Sequence, residues 1–278
     1  MPDRMIAYFL SIVQAVLLWA GLPLMPLGQR LDLGQFALTW SDEFDGGSLD
    51  PEKWGGHGFS EGAHQRRDGY WAMEMAQVHD GKLHIPTDYF EEGIAGGPPG
   101  FYNVGIDTSR TFRQTYGYFE VRCKLPEGVG LWSAFWMYNE QVGSIDSAGP
   151  RGTEIDVFES PYAGDHWWKR NSVSSALHYY DGGYDGTLHS QGLGRYRVKK
   201  PYSAFHAYGV EWNADGYIFY IDGKETARSS FGGVCREALY LILSIEIGSW
   251  AGDVRSNQAI TDFVVDYVRV YQYKSILE

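Results

Sequence analysis

The apolar residues of this chain recur at every second position. In residues 117–125 (GYFEVRCKL), Phe119, Val121, Cys123 and Leu125 point one way and Tyr118, Glu120, Arg122 and Lys124 the other. Residues 263–271 (FVVDYVRVY) alternate in the same manner. A side-chain period of two belongs to a β-strand with one face in a core. Residues 211–224 (EWNADGYIFYIDGK) set two β-rich runs around an Asp-Gly turn, the signature of a hairpin. No long segment outside the N-terminus repeats at the helical period, and 35 glycines punctuate the short runs. Between Phe36 and Tyr273 there is no composition break, charge run or internal repeat, and residues 93–100 (GIAGGPPG) are the one clear flexible loop. The pattern predicts a single all-β domain, a sandwich or a barrel.

Composition narrows the functional classes. Of 278 residues, 44% are apolar and 16% aromatic, which supports a core and excludes a disordered or collagen-like chain. The formal charge of −12 argues against a nucleic-acid partner, which needs a basic face to meet phosphate. The two cysteines, Cys123 and Cys235, exclude a disulfide-dense scaffold and a Cys-rich zinc site; they form one bridge or none. Residues 5–22 (MIAYFLSIVQAVLLWAGL) are an apolar run broken by Ser11 and Gln14, behind Arg4. That run is about long enough to cross a bilayer and sits where an export signal sits. Residues 1–27 are therefore expected to be a signal peptide or an N-terminal membrane anchor. The expected location is extracellular or periplasmic, with membrane attachment only through residues 5–22.

Chemistry concentrates in residues 152–160, GTEIDVFES. Glu154 and Asp156 share one face of a strand, while Ile155 and Val157 face a core. Glu159 falls on the apolar face of a regular strand, where a lone carboxylate is costly. One extra residue at Val157–Phe158, a β-bulge, restores Glu159 to the side of the other two, and bulges are over-represented beside active sites. Converging like charges raise at least one carboxyl pKa, and desolvation raises it further. Two carboxyls with separated pKa values are what glycoside hydrolysis uses, one ionised and one protonated. Aromatic residues crowd the segment on both sides: Trp132, Phe135 and Trp136 before it, Trp167, Trp168, Tyr179 and Tyr180 after it. The GFSEG of residues 58–62 matches a nucleophile-elbow pattern but lacks the strand and helix which that motif requires.

With these flanks the sequence resembles glycoside hydrolase family 16, whose signature is Glu-hydrophobic-Asp, one or two hydrophobics, then Glu; EIDVFE is its bulged form. The resemblance runs from TWSDEFDGGSLDPEKW (39–54) through YGYFEVRCKLP (116–126), GLWSAFWM (130–137) and FHAYGVEWNADGYIFYIDGK (205–224) to VDYVRVYQ (265–272). It implies a concanavalin-like β-jelly-roll sandwich over residues 36–274, with a substrate cleft on the concave face. It implies that Glu154 is the nucleophile, Asp156 its electrostatic partner and Glu159 the general acid/base. The sugar contacts to expect are Trp132, Trp136, Trp167, Trp250, Asn103 and His178, the last in ALHYY on the following strand. The chemistry needs no cofactor. The resemblance also implies a structural calcium near the two termini, with Glu43 and Asp266 at the matching places. Two acids are few for an ion that takes 6–8 oxygens, so backbone carbonyls and water would complete the site.

The implied function is a retaining, endo-acting β-glycoside hydrolase that cleaves a polysaccharide by double displacement, most nearly an endo-β-1,3(4)-glucanase. Endo-β-galactanase, endo-β-galactosidase and agarase activities are the alternatives within the bulged members. The chain reads GSIDSAGPRGTEID and GLWSAFW where typical laminarinases carry Trp-Pro-Ala-Ser-Gly and Trp-Pro. A transglycosylase shares the intermediate, and a non-catalytic carbohydrate-binding protein shares the sandwich. The expected partner is a β-glucan or β-galactan, and the expected state a monomer. Residues 178–192 (HYYDGGYDGTLHSQG) are expected to shape one end of the cleft. Lys169, Arg170, Arg195 and Arg197 are either contacts for sulfate or uronate or, as expected here, solvated surface.

Overall fold

The alternating segments form the strands that the period predicts. In the computed structural model, which describes residues 24, 28–56, 62–146, 148–162, 170–257 and 259–278, residues Gly117–Lys124 and Phe263–Tyr273 are antiparallel neighbours, with Phe119 opposite Val270. The reading of residues 1–27 as a leader, the GFSEG segment and Trp167 fall largely or wholly outside the described residues. The predicted hairpin joins His206–Asn213 to Gly216–Ile221. Its turn is Ala214–Asp215, closed by the Asn213 side chain, which accepts from the Asp215 and Gly216 amides at 2.8 and 3.2 Å. A second Asp-Gly pair, Asp222–Gly223, takes φ of 50° and 68° and leads into Lys224–Ser229. Both residues are left-handed, the geometry of a tight two-residue hairpin.

Two sheets pack face to face. One has eight strands, in the order Lys224–Ser229, Gly216–Ile221, His206–Asn213, Gly117–Lys124, Phe263–Tyr273, Lys82–Ile85 and Gln77–His79, with Phe36–Asp42 also paired to Phe263–Tyr273. The other has seven, in the order Thr187–Arg197, Ser172–Asp181, Glu154–Pro161, Leu131–Tyr138, Tyr240–Ile247, Gly105–Asp107 and Gly55–Gly56. Between them lies one core that takes Phe119, Val121, Val210 and Val268 from the first sheet and Phe135, Ile155, Phe158 and Leu243 from the second. The rings of Phe158 and Tyr208 meet across it at 4.6 Å. Cys123 and Cys235 are both buried and unpaired.

Strand Gly117–Lys124 departs from the half-buried expectation, because Tyr118 and Glu120 on its outer face are buried too. Phe36, Tyr118 and Tyr220 form a second apolar layer over that face, with Tyr271 and Tyr273 packed against it. A smaller four-stranded sheet, His64–Arg66, Gly69–Trp71, Gly100–Asn103 and Asp88–Phe90, stands beside the seven-stranded sheet. Trp71 anchors it by donating from Nε1 to the Ile245 carbonyl at 2.7 Å. That anchor brings Arg66 and Arg67 to the outer face of the seven-stranded sheet.

Candidate active site

The acid strand carries its bulge. Against Leu131–Tyr138 the register runs Phe135 to Phe158 and then Trp136 to Asp156, so Val157 is the extra residue. The same shift separates Asp156–Ala176 from Glu159–Ser174 on the other side. Ile155, Val157 and Phe158 are all buried, and Glu154, Asp156 and Glu159 emerge together on the outer face. The two apolar residues in succession are what turn Glu159 outward.

Cross-strand register builds the cleft around them. Residues directly opposite on neighbouring strands share a face and touch. Glu154 lies opposite His178, and Asp156 lies between Trp136 and Ala176. Glu159 lies between Ala134 and Ser174, and Trp132 lies opposite Glu246. Arg66, Arg67, Trp132, Trp136 and Ser244 line the same cavity as the three acids. Trp132 donates from Nε1 to Glu159 Oε1 at 3.0 Å, and Trp136 from Nε1 to Ser244 Oγ at 3.1 Å. His178 Nε2 sits 3.0 Å from Asp156 Oδ2, with Nδ1 2.7 Å from Ser190 Oγ. One ligand atom from each of Glu154, Asp156 and His178 falls within 4.8 Å of the other two.

Burial pushes the Glu154, Asp156 and Glu159 carboxyls above the ordinary carboxylate range. The charge of Asp156 adds to the rise at both glutamates, and the charge of Glu246 adds to it at Asp156. His178 and Arg66 pull Glu154 back down, while His178 and the Trp132 N–H pull on Glu159. Acids this close titrate as a set, and the set retains protons at a pH where free carboxyls have none.

Four site residues were not among those expected: Glu246, Ser244, Arg66 and Arg67. Glu246 is buried and holds both arginines, accepting from Arg66 Nε at 2.7 Å and from Arg67 Nε. The Arg67 guanidinium also lies 4.3 Å over the Trp132 ring. The sequence signal was there, since Glu246 is the only charged residue in the otherwise buried strand YLILSIEI.

Among the described residues, the other expected site residues stand at the cleft edge or outside the cavity. Asn103 is buried at the end of its strand, where its Nδ2 donates to Thr87 Oγ1 at 3.4 Å, and it does not line the cavity. Trp71 lies opposite it on the neighbouring parallel strand. Trp250 stands at the cleft edge, exposed, with its ring 4.5 Å edge-on to Trp132. Glu43 and Asp266 are each paired with cations of the protein. Glu43 accepts from Arg269 Nε and Nη2 at 2.9 and 2.8 Å, which holds its carboxyl below the usual range. Asp266 accepts from Arg122, with Lys82 Nζ at 3.8 Å. The protein's own cations neutralise both acids, so the pair does not fit a calcium site.

A two-sheet sandwich with a bulged carboxylate strand on the floor of an aromatic-lined cleft belongs with the lectin-like glycoside hydrolases. Comparison with known proteins names the family. The model for the GH16 domain of β-porphyranases A–D matches residues 36–273, and the chain belongs to glycoside hydrolase family 16. It is 30% identical over 257 residues to a β-glucanase of Rhodothermus marinus, covering 85% of each chain. It is 28% identical over 226 residues to β-porphyranase B of Zobellia galactanivorans, covering 76% of this chain and 73% of that one. The solved structure of LamAcat from Zobellia galactanivorans matches with a TM-score of 0.68 at 25% identity, over 85% of this chain and 98% of that one. The fold is the family's β-jelly roll.

Proposed function

We propose that this protein is a retaining, endo-acting β-glycanase with Glu154 as nucleophile and Glu159 as general acid/base. The observation that carries the reading is the extra residue Val157, which turns Glu159 to the face already occupied by Glu154 and Asp156. In the first step a Glu154 oxygen attacks the anomeric carbon. The bond to the leaving oxygen breaks as Glu159 passes its proton to that oxygen. In the second step Glu159, now ionised, takes a proton from water, and the water oxygen displaces Glu154 from the same carbon. Two inversions give net retention. Asp156, held by His178, keeps a second carboxyl beside Glu154, so that ionising and protonating Glu154 are coupled to its neighbour.

A β-linked galactan of the porphyran type is the first substrate class, favoured by the family model over residues 36–273. A β-1,3(4)-glucan is the second, favoured by the 30% identity to a β-glucanase. Residues 36–274 act as the catalytic domain without a required cofactor. Residues 1–27, with their apolar run, act as export signal or anchor and place the protein outside the cytoplasm.

The test is incubation with porphyran, agarose, laminarin and lichenan, reading new reducing ends and the anomer first released. Oligosaccharides of retained configuration from one polymer, absent with Glu154→Gln, are the expected result. An inverted first product overturns the double displacement. Binding without cleavage of every polymer leaves a carbohydrate-binding protein, and product formation only with an added acceptor sugar a transglycosylase.

A further inference from the structure

Among the described residues, the cations facing the cleft are matched to carboxylates, with Arg195 the exception. Arg66 and Arg67 share Glu246, and His178 faces Asp156. Arg195 stands on the same face. It lies opposite Ser174, which lies opposite Glu159, so the three form one row across the sheet. Two strand spacings put its Cα about 10 Å from that of Glu159. Its side chain is half-buried, unlike that of Arg197, which is exposed, so Arg195 is not the solvated surface residue that the sequence suggested. Nη1 donates to Ser172 Oγ at 3.3 Å, and among the described residues no carboxylate pairs with the guanidinium. A guanidinium offers five N–H donors in a rigid fork suited to oxyanions, and among the described residues only Nη1 is engaged.

The surroundings make that unpaired charge costly. Burial lowers the Arg195 pKa, and the opposing influence comes chiefly from Glu159. In the mechanism above Glu159 carries its proton in the resting enzyme and is then no counter-ion. Tyr202, also within electrostatic reach of Arg195, packs on Tyr162 at 5.1 Å, which gives the site an aromatic wall. A half-buried cation beside the acid/base, without an acid of its own, is completed by a negative group on the substrate. Sugar hydroxyls alone supply no charge.

We propose that Arg195 is a specificity-determining residue that receives an anionic substituent, a sulfate ester or a uronate carboxylate, on a substrate sugar lying beside Glu159. The inference rests on the glycanase reading and sharpens its substrate class.

The test pairs each charged polymer with its uncharged parent: porphyran with desulfated porphyran, and C6-oxidised, glucuronate-bearing laminarin with laminarin. Wild type, Arg195→Gln and Arg195→Lys are compared by kcat/KM, with melting curves to establish that each variant is folded. Wild type is expected to favour the charged member of one pair. Arg195→Gln should cut that preference by about 10–100-fold, the loss of a charge-assisted contact, and Arg195→Lys by less. The pair that responds distinguishes sulfate from uronate. Equal losses on charged and uncharged members, or no charged preference in wild type, overturn the proposal. If wild type cleaves none of the four, the hydrolase reading fails, but gel retardation by the same polymers still reads Arg195. Retardation by the charged polymer that Arg195→Gln abolishes supports the anion site, and retardation that it leaves unchanged overturns it.

Discussion

The two sheets each carry glutamates on their outer faces, buried at Glu120 and Glu211 and half-buried at Glu154 and Glu159, and they treat them in opposite ways. On the eight-stranded sheet Glu120 accepts from the hydroxyls of Tyr118 and Tyr267 at 2.6 and 2.9 Å. Glu211 accepts from Tyr220 and Tyr273 at 2.9 and 2.7 Å. Each acid has one tyrosine on each oxygen. On the seven-stranded sheet Glu159 has a single N–H from Trp132, and Glu154 accepts no hydrogen bond among the described residues. Their neighbours are other acids. The first arrangement is what a buried carboxylate needs to be structural. The second leaves solvation incomplete and protons mobile, which costs stability and suits proton transfer.

Exchanging acids for amides or alanine on the two faces tests this contrast. The largest effect is expected from Glu154→Gln, with turnover down by at least about 10³-fold, as for loss of a nucleophile. The same change removes a charge that burial disfavours, so the melting temperature near neutral pH should rise by a few degrees. Glu120→Ala should do the reverse. It strands the buried Tyr118 hydroxyl and the half-buried Tyr267 hydroxyl and should cost ~2–4 kcal/mol, roughly ten degrees of melting temperature, with turnover per folded molecule retained. Melting curves and initial rates on the two variants decide the matter. Shifts of the same sign would show that the two faces do not differ in kind.

The contrast also has a pH dependence of definite sign. The folded-state pKa values of Glu154, Asp156 and Glu159 are raised, so below the ordinary carboxylate range both folded and unfolded chains hold these protons. As pH rises, the unfolded chain releases them first, and stability drains away until the folded site ionises as well. The melting temperature of wild type should therefore fall between about pH 4 and about pH 8 more steeply than that of Glu154→Gln. Parallel curves would mean that the acids are not held protonated by the fold.

What the sequence revealed follows from how locally each feature is encoded. The acid strand was legible because a five-residue offset puts Glu159 on the wrong parity, and the bulge is the local remedy. Glu246 and the arginines depend on pairings between distant segments, Trp132 with Glu246 and the Trp71 anchor of the small sheet on Ile245. The lone charge in YLILSIEI marks Glu246, but no local pattern brings the arginines to it. Asn103 shows the converse, a polar residue read as a sugar contact that is buried against Thr87 and does not line the cavity. The tyrosine cover of Glu120 was hidden for the same reason, since it requires Phe263–Tyr273 to lie beside Gly117–Lys124 and bring Tyr267 to it.

The smallest expected effect isolates the hydrogen bond that Trp132 donates to Glu159. Burial raises the Glu159 pKa, and the Trp132 N–H opposes that rise by stabilising the ionised form. Trp132→Phe keeps a ring under the Arg67 guanidinium and opposite Glu246 but removes the donor. The Glu159 carboxyl should then hold its proton more tightly, and the alkaline limb of the rate profile should move to higher pH. The shift should be a fraction of a unit, since a net hydrogen bond is worth only ~1 kcal/mol and a full unit is ~1.4 kcal/mol. The second step, which needs Glu159 ionised, should slow and allow the glycosyl-enzyme to accumulate on substrates with good leaving groups. An alkaline limb that moves to lower pH, or not at all, would mean that Trp132 holds the sugar or Arg67 rather than tuning the acid. The Trp132 N–H would then be structural, like the four tyrosine hydroxyls on the other face.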